Sequence, residues 1–333
     1  MGTEAGAIPV YLLTGFLGSG KTTLLSQLVH TPAFQDTAVV INEFGEVGLD
    51  HLLVGQADDN EVVLLDSGCL CCAASSSLAD TLESLYYRRY RGELPPFERV
   101  VVETSGLADP GPVINTLASD ALIARHYRFG GAVATLDALH GIETVQQYRE
   151  AATQITIADR IAVTKIDVAS DEAIAMTRQL LTQHNPTAEV FLTSLDSAAE
   201  HAPMLFKSLQ ASHIPDAMAV SDRAMVPGRI AHVLRYGIAS YLWRQTQPIG
   251  WEVYAKWVRQ MQRQAGENLL RVKGLLRWED GTVRTVHGVH HLFSHPEVVT
   301  LPSNTKELGS LIVIARDLSA EELKGAMSIL GML

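Results

Sequence analysis

The segment Gly15-Phe-Leu-Gly-Ser-Gly-Lys-Thr22 constrains this chain more than any other. It fills every fixed position of G-x4-G-K-[ST], with an apolar run, Val10–Thr14, ahead of it and a helical pattern, Lys21–Val29, behind. Glycines at these positions let main-chain N–H groups turn inward around phosphates without a Cβ clash. The N-terminus of the following helix adds a favourable dipole. The pattern expects a nucleoside triphosphate held by Gly15, Gly18, Ser19, Gly20, Lys21, Thr22 and Thr23. Lys21 then reaches the β- and γ-phosphates, and the Thr22 hydroxyl ligates Mg2+.

Such a loop belongs in an α/β fold, and the first two hundred residues have that rhythm. Strands are expected at Val10–Thr14, Ala38–Ile41, Val62–Leu65, Arg99–Val102, Ala132–Leu136, Arg160–Thr164 and Val190–Leu192. Several are apolar at consecutive positions, as in a parallel sheet covered on both faces. Helices are expected at Lys21–Val29, Ser76–Tyr90, Thr144–Ile157 and Asp171–His184. The pattern predicts a doubly wound, mostly parallel sheet over 1–200. Residues 201–228, with Pro203, Pro215 and Pro227, read as a linker, and 229–333 as a smaller α+β domain. In that domain a strand at Ala239–Gln245 and a helix at Trp251–Gln264 precede strands at Leu269–Trp278, Val283–Leu292 and Leu311–Ala315. A last helix starts at Ser319, with Glu322 completing a capping box.

Two further segments fit the phosphate loop. Val100-Val-Val-Glu103-Thr-Ser-Gly106 reads as a buried strand ending in a carboxylate and then a glycine. Glu103 is placed to hold a magnesium-bound water, and the Gly106 N–H to sense the γ-phosphate. Thr164-Lys165-Ile-Asp167 has the form of a guanine-reading motif, with Thr164 where Asn is usual. The Asp167 carboxylate accepts from donors that guanine offers and adenine does not, and the Lys165 stem covers the base, so GTP and GDP are the expected nucleotides.

The three cysteines are Cys69, Cys71 and Cys72, too close and too few for a disulfide framework. Thiolates this near one another repel unless a soft cation neutralises them, and Zn2+ does so at four-coordinate geometry. Copper(I) suits the same ligands, and three small buried hydrophobes or a redox pair are the plainer alternatives. Three thiolates leave a fourth position open, which suits a metal that must leave again. Asn42-Glu43-Phe44-Gly45-Glu46 lies between the phosphate loop and the cysteines, so Glu43 or Glu46 is available to complete the shell; the alternative is two solvated loop carboxylates.

Composition narrows the partners. A net charge of −11 argues against sequence-independent nucleic-acid binding, which depends on neutralising phosphates. No apolar run approaches the roughly 18 residues of a membrane span. The first strand begins too early for a secretory signal, and the few cysteines fit a reducing compartment, so the cytoplasm is expected. A cluster of Arg88, Arg89 and Arg91 among Tyr86, Tyr87 and Tyr90 reads as a solvated helix end, with a partner-docking patch as the alternative.

Together Gly15–Thr22, Asn42–Glu46, Gly68–Cys72, Glu103–Pro110 and Thr164–Asp167 resemble the CobW-type GTPases, relatives of the hydrogenase and urease nickel-insertion GTPases. The YjiA-like subgroup, in which Thr also heads the guanine motif, is the nearest form. In the second half Arg271-Val-Lys-Gly274 and His287-Gly-Val289 resemble the CobW C-terminal domain. The resemblance implies a P-loop GTPase that serves as a metallochaperone or insertion factor for Zn2+ (or Co2+ or Ni2+), and hands the metal to a client metalloprotein. By position Cys69, Cys71 and Cys72 bind it, with Glu46 nearby. Relatives with a further acidic residue before the Asn have Ile41 at that place here, so a site using that carboxylate is absent.

His287, His290, His291 and His295 crowd one segment, either as a second metal site or as surface histidines on a strand edge. A homodimer is compatible with all of this. The expected mechanism couples GTP and Mg2+ to the Glu43–Asp50 segment and the loop after Glu103, so that hydrolysis loosens the cysteine site. Intrinsic turnover is expected to be slow, on the order of 10⁻⁴ to 10⁻² per second. Two rivals remain: a metal storage or sensing protein with regulatory nucleotide binding, and a P-loop kinase of a small molecule.

Overall fold

The computed structural model describes residues 7–42, 63–64, 70–73, 77–194, 197–207, 230–233, 235–300 and 308–332. At 42, 63–64, 70–73, 118, 230–233 and 235 the description is of main chain alone. The residues group into two compact units. One carries the strands up to residue 192, and the other carries those from 230 onward together with Gln179–Ala188.

The first unit is an eight-stranded sheet of β1 (Ile8–Thr14), β2 (Thr37–Asn42), β3 (Val63–Leu64), β4 (Leu70–Ala73), β5 (Arg99–Thr104), β6 (Tyr127–Asp137), β7 (Arg160–Thr164) and β8 (Glu189–Leu192). Its order is β3-β4-β2-β5-β1-β6-β7-β8, and every pair is parallel except β3 with β4. Consecutive burial along β5 and β7 follows from helices on both faces. The helices are α1 (Lys21–Leu28), α2 (Leu78–Tyr90), α3 (Gly111–Ser119), α4 (Ala121–His126), α5 (Gly141–Gln147), α6 (Arg149–Ile157), α7 (Asp171–His184, of which Gln179–His184 group with the second unit) and α8 (Ala198–Leu205). One core packs Leu24, Leu25 and Leu28 of α1 with Ala198, Ala202 and Leu205 of α8 against Leu13, Val39, Val101 and Val133 of the sheet.

The sequence reading of this unit differs from the structure in several places, among them the helices α3 and α4, which it did not expect. The helix expected at Thr144–Ile157 is two, because Tyr148 adopts an extended conformation (φ −119°, ψ 124°) between α5 and α6. The cysteine segment after the expected strand is itself a strand, β4. Residues 198–205, read partly as linker, form α8 despite Pro203 inside it. The fold tolerates the ring because α8 is short, and Arg99 and the buried Arg160 bind its far end.

The second unit is an antiparallel sheet of β9 (Ile230–Val233), β10 (Ile238–Arg244), β11 (Leu269–Arg277), β12 (Val283–Val289), β13 (Leu292–Phe293) and β14 (Ser310–Arg316), ordered β13-β12-β11-β14-β10-β9. α9 (Trp251–Gln264) presents Tyr254, Trp257 and Met261, three and four residues apart, to a core shared with Leu323 and Met327 of α10 (Ala320–Ile329). The expected capping box is present: the Glu322 N–H donates to Ser319 Oγ at 3.3 Å, and the Ser319 N–H to Glu322 Oε2 at 2.7 Å. Among the described residues no helix is long and apolar enough to cross a membrane.

Candidate nucleotide and metal site

In a parallel sheet all carboxyl ends lie along one edge, and ligands bind in the crevice outside them. Here the loops after β1, β5, β6, β7 and β8 meet at that edge. β1 runs into the phosphate loop and α1 begins at Lys21, with Gly20 as its cap. Gly15, Gly18 and Gly20 have φ of 139°, 73° and 92°, a region that L side chains avoid. A Cβ on Gly15 would also lie 2.3 Å from Thr135 Oγ1.

The loop is held from behind by hydroxyls. Ser19 Oγ and Thr135 Oγ1 are 2.6 Å apart, and Thr164 Oγ1 donates to the Ser19 carbonyl at 2.7 Å. Thr164 is thus an anchor of the phosphate loop as well as the head of the guanine motif. Lys21, 8% exposed, folds back so that Nζ donates to the Phe16 carbonyl at 3.2 Å. That places its charge over the turn where phosphates would lie.

Thr22 Oγ1 donates to Glu103 Oε1 at 2.7 Å, joining the end of β5 to α1. A hydroxyl and a buried carboxylate side by side are hard oxygen donors, a pair that fits Mg2+. Gly106 lies directly against the phosphate loop, since a Cβ there would be 2.7 Å from the Leu17 nitrogen. Only hydrogen fits at that approach.

Beside the loop is an open cavity of about 230 Å³, lined by Gly20, Thr23, Thr164, Lys165, Asp167 and Ser194 among others. It brings the guanine motif and the phosphate loop to one place, with Asp167 exposed at its wall. Lys165 has φ 58°, and Nζ pairs with Asp137 at the end of β6. The opposite oxygen of Asp137 accepts from the Leu139 N–H at 2.6 Å. Asp137, Thr193 and Ser194 were not singled out from the sequence. The signal available was position: each stands at or just past the carboxyl end of a parallel strand.

Cys69, Glu43 and Glu46 lie outside the described residues, as does most of the Asn42–Glu46 segment. Cys71 and Cys72 lie on β4, whose main chain pairs with β2 at Val39↔Cys71 and Val40↔Cys72. Ile41 of β2 in turn pairs with Ala73 on one side and with Glu103 on the other. The strand bearing two cysteines is therefore two strand spacings, about 10 Å, from the strand that carries Glu103.

His287, His290, His291 and His295 do not converge. Among the described residues no three His, Cys, Asp or Glu side chains gather to hold a metal. His295 instead stands against Trp251, ring centroids 5.1 Å apart, and His290 is 4% exposed at φ 49°. The Tyr–Arg cluster of α2 is engaged locally: Tyr86 stacks on His126 at 3.7 Å, and Arg89 lies over Phe97.

Comparison with known proteins agrees with this geometry. The model of the CobW/HypB/UreG nucleotide-binding domain matches residues 9–192, and that of the cobalamin synthesis protein cobW C-terminal domain matches 238–329. The zinc chaperone YjiA of Escherichia coli is 42% identical over 164 residues, 49% of this chain and 51% of the relative. The zinc-regulated GTPase metalloprotein activator 1 of Schizosaccharomyces pombe is 31% identical over 184 residues, 54% of this chain and 44% of the relative. The matched stretch thus spans about half the length of these curated relatives. The crystal structure of Zn(II)-bound YjiA GTPase from E. coli superposes with a TM-score of 0.67 at 29% identity, over 98% of this chain and 99% of that one. The chain belongs to the CobW/HypB/UreG nucleotide-binding family and carries a cobW C-terminal domain behind it.

Proposed function

We propose that this chain is a GTP-hydrolysing metallochaperone that binds Zn2+ at Cys69, Cys71 and Cys72, with Glu46 beside them, and passes it to a client metalloprotein. Co2+ and Ni2+ suit the same ligands less specifically. The observation that carries the reading is the register Ala73↔Ile41↔Glu103, which ties the cysteine strand to the strand of the nucleotide site through one intervening strand. Names of the relatives support zinc as cargo. The cytoplasm, where thiols stay reduced, is the compartment that this chemistry requires.

The roles follow from the residues. Main-chain N–H groups of Gly15–Thr22 and the α1 N-terminus hold the phosphates, and Lys21 leaves the Phe16 carbonyl to neutralise them. Thr22 and Glu103 hold Mg2+, which when bound offsets charge on the β- and γ-phosphates. Gly106 reads the terminal phosphate through its N–H. Thr164 fixes the loop, while Asp167 accepts from the guanine edge and Lys165 covers the ring. Loss of the terminal phosphate frees the loop after β5, and the cysteine strand feels that change through β2.

The test is transfer of Zn2+ from the loaded protein to a chelator, with GTP or with a non-hydrolysable analogue. Faster release in GTP is expected; equal rates would overturn the coupling. Glu103→Gln keeps the shape but removes the charge, and is expected to lower kcat at least about tenfold, a difference of roughly 1.4 kcal/mol in the barrier. Phosphate release at saturating Mg2+ measures it.

A further inference from the structure

Residues 149–157 form α6, in which Ala151–Ile157 are all buried, and one of those side chains is a wholly buried amide. Gln154 Nε2 donates to two main-chain carbonyls, those of Gly106 and Ala108, at 3.1 Å each. Because both partners only accept, the amide nitrogen must face the loop. Among the described residues no donor reaches its Oε1. Burying an amide in an apolar core is unfavourable unless its hydrogen bonds secure something.

What it secures is a turn. The Ala108 N–H donates to the Ser105 carbonyl at 3.0 Å, so Gly106 and Leu107 are the central residues and the peptide joining them is the turn's middle plane. Turns of types I and II differ by a half rotation of that plane. The peptide is rigid, so a hydrogen bond to the Gly106 carbonyl fixes its orientation. The turn abuts the phosphate loop, with the Leu17 nitrogen 2.7 Å from where a Gly106 Cβ would stand. The same helix is joined to that loop at its start, where the Tyr148 ring stacks on Phe16 with centroids 4.5 Å apart. One buried helix therefore braces both the phosphate loop and the turn after Glu103.

We propose that Gln154 is a positioning residue for hydrolysis: by pinning the Gly106 and Ala108 carbonyls it holds the Ser105–Ala108 turn, and with it the Gly106 N–H, in place against the phosphate loop, where a terminal phosphate is recognised. The inference rests on the GTPase reading above and names the residue that lets the site tell triphosphate from diphosphate. Gln154 touches no substrate; it acts through the turn.

The experiment uses the full chain with Gln154→Leu and Gln154→Met, apolar residues of similar size that favour helix; either one that folds suffices. Affinities for GDP and for a non-hydrolysable GTP analogue are measured with ribose-labelled nucleotides, together with kcat and KM. Losing two neutral hydrogen bonds is expected to lower kcat and analogue affinity about tenfold each, while GDP affinity stays within about twofold. Amide exchange at Leu107 and Asp109 should quicken relative to α6. The proposal is overturned if the analogue-to-GDP affinity ratio is unchanged, if both affinities fall together, or if exchange in the turn does not respond. A wild-type protein that binds GTP without hydrolysing it would sink the GTPase reading alone, and the affinity ratio would still decide the role of Gln154.

Discussion

Thr164 is the residue where sequence and structure say different things about one side chain. Read along the chain it is an imperfect first position of a guanine motif; in the fold its hydroxyl donates 2.7 Å to the Ser19 carbonyl and sits behind the phosphate loop. A threonine can do this because the bond needs one donor on a short, stiff side chain. Thr164→Val keeps the shape and removes the donor. It is expected to weaken GDP and GTP alike by about fivefold to tenfold, the value of a hydrogen bond of roughly 1 kcal/mol. Titration with labelled nucleotide checks it, and an unchanged affinity would show that the anchor carries no weight. The fixed letters of the phosphate loop, Glu103 and Asp167 stand out in the sequence because phosphate and base chemistry restrict which residue types can serve. Thr135, Asp137 and Gln154 do not, since each acts through a partner more than 25 residues away in the chain.

At the scale of elements, alternating strands and helices were readable because burial on both faces leaves a continuous apolar run. Breaks were harder to see. Tyr148 splits an otherwise periodic helical stretch, and nothing in its own side chain announces this; the cause is tertiary, its stacking on Phe16. α8 was hidden for a similar reason. Its last turn is held by two arginines from strand starts: Arg99 donates to the Phe206 carbonyl, and Arg160 to those of Leu205 and Lys207. Cations at a helix C-terminus are favourable, and here they meet carbonyls that the helix itself leaves unbonded. Arg160 is also paired with Glu189 at 2.9 Å, with the arginine side chain only 6% exposed. Arg160→Met strands both the carboxylate and the carbonyls, and is expected to cost about 3 kcal/mol, the lower end for breaking a buried pair. Urea unfolding gives the value; a loss under 1 kcal/mol would mean that solvent replaces the guanidinium.

At the scale of the whole molecule, the buried imidazole of His184 ties stability to pH. His184 ends α7 at 7% exposure, and burial pulls its pKa down from 6.5 to about 4. Burial does this because the apolar surroundings disfavour the charged form. Between those two values the unfolded chain binds a proton that the folded protein refuses. The stability associated with His184 is therefore fully present above pH 6.5, declines as pH falls, and is lost at about pH 4. A shift of this size corresponds to roughly 3 kcal/mol. Two exposed carboxylates, Asp280 and Glu322, have pKa values lowered by hydrogen bonds to Thr282 and Ser319 respectively, so their contributions fade only below the usual carboxylate range. Urea midpoints at pH 7.5 and pH 5 separate the two effects. The wild type should lose stability across that interval, and His184→Gln, which has no proton to gain, should lose markedly less. Parallel pH profiles for the two proteins would show that His184 is not the group responsible.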